Sequence, residues 1–274
     1  MKSLYTLIKN GELRERDSSK YLDLSDCGLT SLDGLQDERY IDVEMLHCHS
    51  NEITSMKEIE NLKNLRYLAI GSNKLTSLEG IENLKNITDL NIGSNNVKSL
   101  EPIYKLTKLK NLYLTGNIID DLSPISNLKK IEILDFMGNN ITSLKSIEKL
   151  INIEHLNMSK NKIRSLEGLE HMKKLRTFYC KENLLQNIEV VKNFYDLFLL
   201  NCENNNISSL KGIENLSKLT DIDVTGNPIS YKYNDIRGQR IVDRVKLESC
   251  LEAGNVRRGE ASILDTGLFD FKKN

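Results

Sequence analysis

Apolar and polar positions recur along this chain with a single period. From Leu65 the order is a leucine, two variable residues, Leu68, one variable residue, Ile70, and then Asn73 and Leu75. Leu78, Ile81, Leu84 and Ile87 follow, three residues apart. The alternation at Leu68 and Ile70 predicts a short strand with one buried face, and the three-residue spacing predicts a tight 3₁₀ or short helical return. The same frame, LRYLAIGSNKL in this copy, returns on either side. Asn51, Asn73, Asn95, Asn117, Asn139, Asn161, Asn183, Asn205 and Asn227 stand 22 residues apart without a slip. An earlier copy, YLDLSDCGL, carries Cys27 at the asparagine position and precedes the next by 24 residues, with the extra two falling near Gln36 to Tyr40.

Each repeat therefore forms one coil. A lone coil cannot bury its own apolar side chains, whereas ten stacked coils merge their faces into one core. With parallel strands about 4.8 Å apart the stack is roughly 45 Å long. The asparagine amide can donate and accept within each turn, satisfying backbone groups that no sheet reaches. An open stack exposes apolar side chains and strand edges, so its ends need lids. Leu4, Leu7 and Ile8 share one side of a short helix ending near Gly11, which makes residues 1–19 an N-terminal helical cap. The repeats occupy 20–229. Beyond Ile229 the pattern stops, and Tyr233, Ile236, Ile241, Val245 and Leu247 suit a capping helix or two within a C-terminal cap and tail, 230–274.

Written as L-x-x-L-x-L-x-x-N-x-L, the frame resembles the leucine-rich repeat. SLEGIENLKNITDLNIGSNNV, Ser77 to Val97, is similar to the 22-residue class of bacterial internalins and of the regulatory subunit of type-1 protein phosphatase. The resemblance runs from about Tyr21 to Ile229. Pro124 opens one return in the internalin manner, while Gly80, Gly168 and Gly212 lean toward the phosphatase-regulator type. The implied fold class is an α/β repeat. It is a solenoid of about ten repeats with terminal caps, a curved parallel sheet on its concave face and short 3₁₀ or helical returns on its convex face. The resemblance also implies protein binding through the concave sheet and no shared catalytic activity.

Composition narrows the function. The 274 residues include 38 basic and 39 acidic side chains, so no net positive charge holds the chain to nucleic acid or anionic lipid. No apolar run approaches the roughly 18 residues that cross a membrane. MKSLYTLIKNGELRERD fails as a secretory signal, which leads to the expectation of a cytoplasmic protein unless a signal-independent export route operates. Five cysteines without a CxxC pair argue against a disulfide framework or a zinc ribbon. Cys48, Cys180 and Cys202 take the inward position that Ile70 holds, which predicts buried, unreactive thiols.

Outward strand positions alternate with the buried pair and lie on the concave face. They supply Tyr67, Asp89, Tyr113, Asp135, Met137, His155, Tyr179 and Lys181 as candidate partner-binding residues, with Ile133 beside them. Aromatic and methionine side chains among small polar ones have the chemistry of interface anchors. His47 and His49 share this face, but two ligands do not make a site; Asp23 or Glu44 could supply a third, yet solvated histidines are the favoured reading, and no metal or cofactor is expected. Asp135 and His155 lie on adjacent strands within possible contact, but no nucleophile accompanies them, and catalysis is not expected. The expected function is non-enzymatic protein–protein interaction by a monomer, as a cytoplasmic adaptor or regulator or as a bacterial effector delivered into host cells. A self-assembling structural repeat and a phosphatase regulatory subunit are the alternatives.

Overall fold

A computed structural model of the chain describes residues 3–10, 20–214 and 216–229. The expected C-terminal cap and tail lie outside these residues, as does the second half of the N-terminal cap. Ten three-residue strands run in chain order: β1 Tyr21–Asp23, β2 Met45–His47, β3 Tyr67–Ala69, β4 Asp89–Asn91, β5 Asn111–Tyr113, β6 Ile133–Asp135, β7 His155–Asn157, β8 Thr177–Tyr179, β9 Leu199–Asn201 and β10 Asp221–Asp223. They form one sheet, each strand hydrogen-bonded to the next. All neighbours are parallel, and the register follows the sequence frame: Tyr67 stands beside Asp89, and Tyr113 beside Asp135.

Inward side chains fill the space between sheet and returns. In the third coil Leu68, Ile70, Leu75, Leu78, Ile81, Leu84 and Ile87 are fully buried, as the periodicity requires. Their counterparts above and below extend one continuous core from Leu4 to Ile229. At the N-terminal end, α1, Leu4–Lys9, starts at Ser3, whose hydroxyl accepts the Thr6 amide. Leu4 and Leu7 are buried against the first coil, Ile8 packs beside them, and the Tyr5 amide donates to the Asp33 carbonyl at 3.2 Å.

Returns take three forms, the longest a five-residue 3₁₀ segment at Glu189–Asn193. Lys57–Ile59, Glu101–Ile103, Ser123–Ile125 and Lys145–Ile147 are single 3₁₀ turns, two of them opened by Pro102 and Pro124. Coils carrying glycine instead turn through a left-handed residue. At Gly80, φ is +103°, and an added Cβ would lie 2.5 Å from the Met56 carbonyl oxygen of the preceding coil. The first coil, longer by two residues, carries a 3₁₀ turn at Glu38–Tyr40.

The asparagines do more than close their own turns. Asn139 donates to the Phe136 carbonyl in its own coil at 3.0 Å and to the Leu114 carbonyl in the preceding coil at 3.0 Å, while its oxygen accepts the Ile119 amide there, also at 3.0 Å. The pattern repeats at every asparagine, from Asn51, bound to Leu24 and Leu29, to Asn227, bound to Cys202 and Ile207. Each buried amide is thus a staple between coils.

Candidate functional site

The outward side chains of the strands form three columns. One starts at Tyr21 and runs through Met45, Tyr67 and Asp89; the second starts at Asp23 and runs through His47, Ala69 and Asn91. A third, two residues further along each coil, includes His49, Gly71, Gly93, Thr115 and Met137.

The second column has a structural rule. On six strands its residue is Asp or Asn, and its side-chain oxygen accepts the amide two residues on: Asp23 from Ser25, Asn91 from Gly93, Asp135 from Met137, Asn157 from Ser159, Asn201 from Glu203, and Asp223 from Thr225. This turn ends the strand by offering the backbone a side-chain partner. The remaining four strands place His47, Ala69, Tyr113 and Tyr179 there and give up that bond. Three of the four replacements are aromatic.

Those residues wall two depressions. One, of about 500 Å³, has Ala69, Gly71 and Gly93 at its floor and His47, Tyr67 and Tyr113 around it. Its depth comes from missing side chains, and a Cβ on Gly71 would press to 3.0 Å from the Gly93 carbonyl oxygen. The His47 ring stacks on Tyr67 with centroids 4.8 Å apart and meets Tyr21 at 5.3 Å. The other depression, of about 390 Å³, lies between Tyr113 and Tyr179 over Ile133, His155, Asn157 and Thr177. Tyr113 is the ridge common to both. Its phenol titrates above the ordinary tyrosine value because it is partly buried and because Asp89, Tyr67 and Asp135 surround it with negative charge.

The candidate residues fall into different roles. Tyr67, Tyr113 and Tyr179 stand together around the depressions, and Met137 lies in the third column beside Asp135. Asp135 is occupied: its oxygens accept from the Thr115 hydroxyl at 2.6 Å, the Met137 amide at 2.9 Å and the Asn157 amide at 3.0 Å. It does not touch His155, whose Nδ1 lies 2.8 Å from the Thr177 hydroxyl instead. Adjacent-strand placement allowed that pair, and closer hydrogen-bonding neighbours displaced it. Asp89 accepts from Asn111 at 2.5 Å and from the Thr88 hydroxyl at 2.6 Å. Lys181 is held by Glu203 at 2.8 Å, which keeps its ammonium protonated to higher pH than usual.

Tyr21, absent from the sequence candidates, stands in register with Met45 and Tyr67 at the head of the first column. The six-fold recurrence of Asp or Asn in the second column was legible at a 22-residue spacing, but only the hydrogen bonds give it a role. Among the described residues, no three of His, Cys, Asp and Glu are grouped to hold a metal ion. Among them, too, no helix is long and apolar enough to cross a membrane. Cys48 and Cys180 are fully buried, and that burial raises both thiols. Asp23 adds to the effect at Cys48, and the neighbouring Cys202 adds to it at Cys180. Cys180 and Cys202 are free thiols at equivalent positions of adjacent coils.

A parallel solenoid with an asparagine staple in every coil after the first and a side-chain-bearing strand face defines the leucine-rich-repeat class. The chain belongs to the leucine-rich-repeat family: the family's two-copy repeat matches residues 42–83, 85–127, 129–171 and 151–193. No curated protein matches the chain. Among solved structures it is similar to the internalin InlF of Listeria monocytogenes, at 22% identity and a TM-score of 0.65, over 76% of this chain and 67% of that one. A leucine-rich-repeat protein of Leptospira interrogans shares 29% identity at a TM-score of 0.69, over 73% of this chain and 53% of its own length. The plant peptide hormone receptor RGFR1, solved in complex with RGF2, is similar at 22% identity and a TM-score of 0.61, over 68% of this chain and 33% of the receptor. At 22% identity the first and last of these likenesses show the fold alone. The second shows that the chain spans about half the length of the Leptospira protein.

Proposed function

We propose that this protein is a non-enzymatic interaction module, an adaptor or regulator that binds a partner polypeptide on its concave face. One observation carries the reading. At His47, Tyr113 and Tyr179 an aromatic ring stands where six other coils use Asp or Asn to bond the turn. Each such bond contributes about 0.5 to 1.5 kcal/mol, so the exchange weakens the coil locally, and the core gains nothing because the rings face outward. Departures of this kind from a local rule concentrate at functional sites. The sheet beneath is held by inter-coil staples, so a partner meets side chains already in place and little ordering cost opposes binding.

The peptide held by the similar plant receptor is consistent with this use of the fold. The test is capture of a partner from extract by the intact chain and by the double variant Tyr113→Ala, Tyr179→Ala. Central aromatic anchors typically cost at least about 2 kcal/mol each when truncated, so capture should fall sharply while the melting temperature stays put. Lys85→Ala with Lys129→Ala, on the exposed return side, should leave capture intact. Loss of capture with the lysine pair and retention with the tyrosine pair would move the functional surface to the convex side.

A further inference from the structure

The charge on the concave columns is lopsided. They carry Asp23, Asp89, Asp135, Glu203, Asp221 and Asp223 against one ammonium, Lys181, which Glu203 already pairs at 2.8 Å. The whole chain, by contrast, has a formal net charge of only -1. Carboxylates on the neighbouring rim are neutralised across coils: Glu44 by Lys20 at 2.6 Å and Glu132 by Lys110 at 3.0 Å. Asp89 and Asp135 are held differently. Their hydrogen bonds come from neutral donors, Asn111 and Thr88 for the first, Thr115, Met137 and Asn157 for the second. Neutral donors orient a carboxylate and leave its charge uncancelled.

Each of these two carboxylates is the register neighbour of an outward tyrosine, Asp89 of Tyr67 and Asp135 of Tyr113. A tyrosine face beside an uncompensated carboxylate suits a guanidinium or ammonium group, which gains from the ring quadrupole and from the charge together. The two pairs are two strands apart in the stack and offset by two residues along the strand, which separates them by roughly 12 Å. In an extended segment residues i and i+4 lie on one side about 13 Å apart. Between the pairs the strand face carries Asn91 and Asn111, and the depression floored by Ala69, Gly71 and Gly93 opens beside them toward the third column.

We propose that the concave face across these two pairs receives an extended, cationic segment of a partner protein, with an arginine or lysine at each tyrosine–aspartate pair. The proposal rests on the concave-face reading above and adds the partner's chemistry to it.

The probe is the labelled peptide acetyl-Gly-Arg-Gly-Ser-Gly-Arg-Gly-amide, titrated with the full chain by fluorescence anisotropy beside versions with both arginines replaced by glutamine or by glutamate. The arginine peptide should bind at least ten-fold more tightly than either and should weaken as salt rises. Asp89→Asn keeps groups able to bond Asn111 and Thr88 while removing the charge, and should weaken binding about five-fold, as should Tyr113→Leu. Glu132→Gln, on the rim, should change nothing. Equal binding of the glutamine peptide, or no binding of the arginine peptide, overturns the cationic assignment. So does binding lost with Glu132→Gln but kept with Asp89→Asn. None of these results touches the capture experiment with Tyr113 and Tyr179, so failure of the charge assignment is distinguishable from failure of the concave-face reading.

Discussion

Removing one asparagine staple tests the architecture at a single residue. Asn139 is 7% exposed and joins the fifth coil to the sixth. Its four hydrogen bonds are not equally replaceable. The Leu114 carbonyl also accepts from Asn117, and the Phe136 carbonyl also accepts from Asn161, so both keep a partner in Asn139→Ala. The Ile119 amide, on a fully buried residue, has Asn139 Oδ1 as its acceptor and loses it. One orphaned buried donor costs about 1 to 3 kcal/mol. At about 2 to 4 °C per kcal/mol for a domain of this size, the melting temperature should fall by about 2 to 12 °C. Thermal and urea unfolding followed by far-ultraviolet circular dichroism measure this directly. Asn139→Asp adds a sign. It retains an acceptor for Ile119 but turns an oxygen toward the Leu114, Phe136 and Met137 carbonyls. Buried among oxygens, that carboxyl holds its proton more tightly in the folded state than in the unfolded one. The folded state then binds more protons, so stability falls as pH rises, and the deficit should be larger at pH 7 than at pH 4. Midpoints of Asn139→Ala equal to the parent's would refute the staple, and a pH-independent deficit for Asn139→Asp would refute its donor role.

Leu144→Ala removes a side chain that is 1% exposed and should destabilise by about 2 to 5 kcal/mol, measured in the same unfolding experiments. Gly80→Ala should be worse than Gly28→Ala: both have positive φ, but only at Gly80 does the new Cβ meet the preceding coil, 2.5 Å from the Met56 carbonyl oxygen, whereas Gly28 has nothing within 4 Å. Equal losses would mean that the coils separate easily. Cys48, Cys180 and Cys202 should resist iodoacetamide at pH 8 in the folded protein and react after unfolding, since burial both shields the thiols and, at Cys48 and Cys180, raises their titration. Peptide mapping by mass spectrometry reads each site, and rapid native alkylation at any of the three would contradict its placement in the core.

The sequence by itself determined the coil, its length and its inward face. A 22-residue period with strand alternation followed by three-residue spacing admits one way to bury Leu68, Ile70, Leu75 and Leu78 together, because each coil lacks enough partners of its own. It also placed Tyr67, Tyr113 and Tyr179 outward, since alternation on a strand leaves them no other side. Only the stacked structure decided what those outward residues have for neighbours. Whether Asp135 meets His155 or Asn157, whether Asp89 is cancelled by a lysine or only oriented by Asn111, and whether Asn139 closes its own turn or also reaches back to Ile119 depend on atoms 20 or more residues away in sequence. Hydrogen bonds act over about 3 Å and depend on direction, so they are settled by the register between coils. Burial is set by the period of the chain, which a single strand of text already carries.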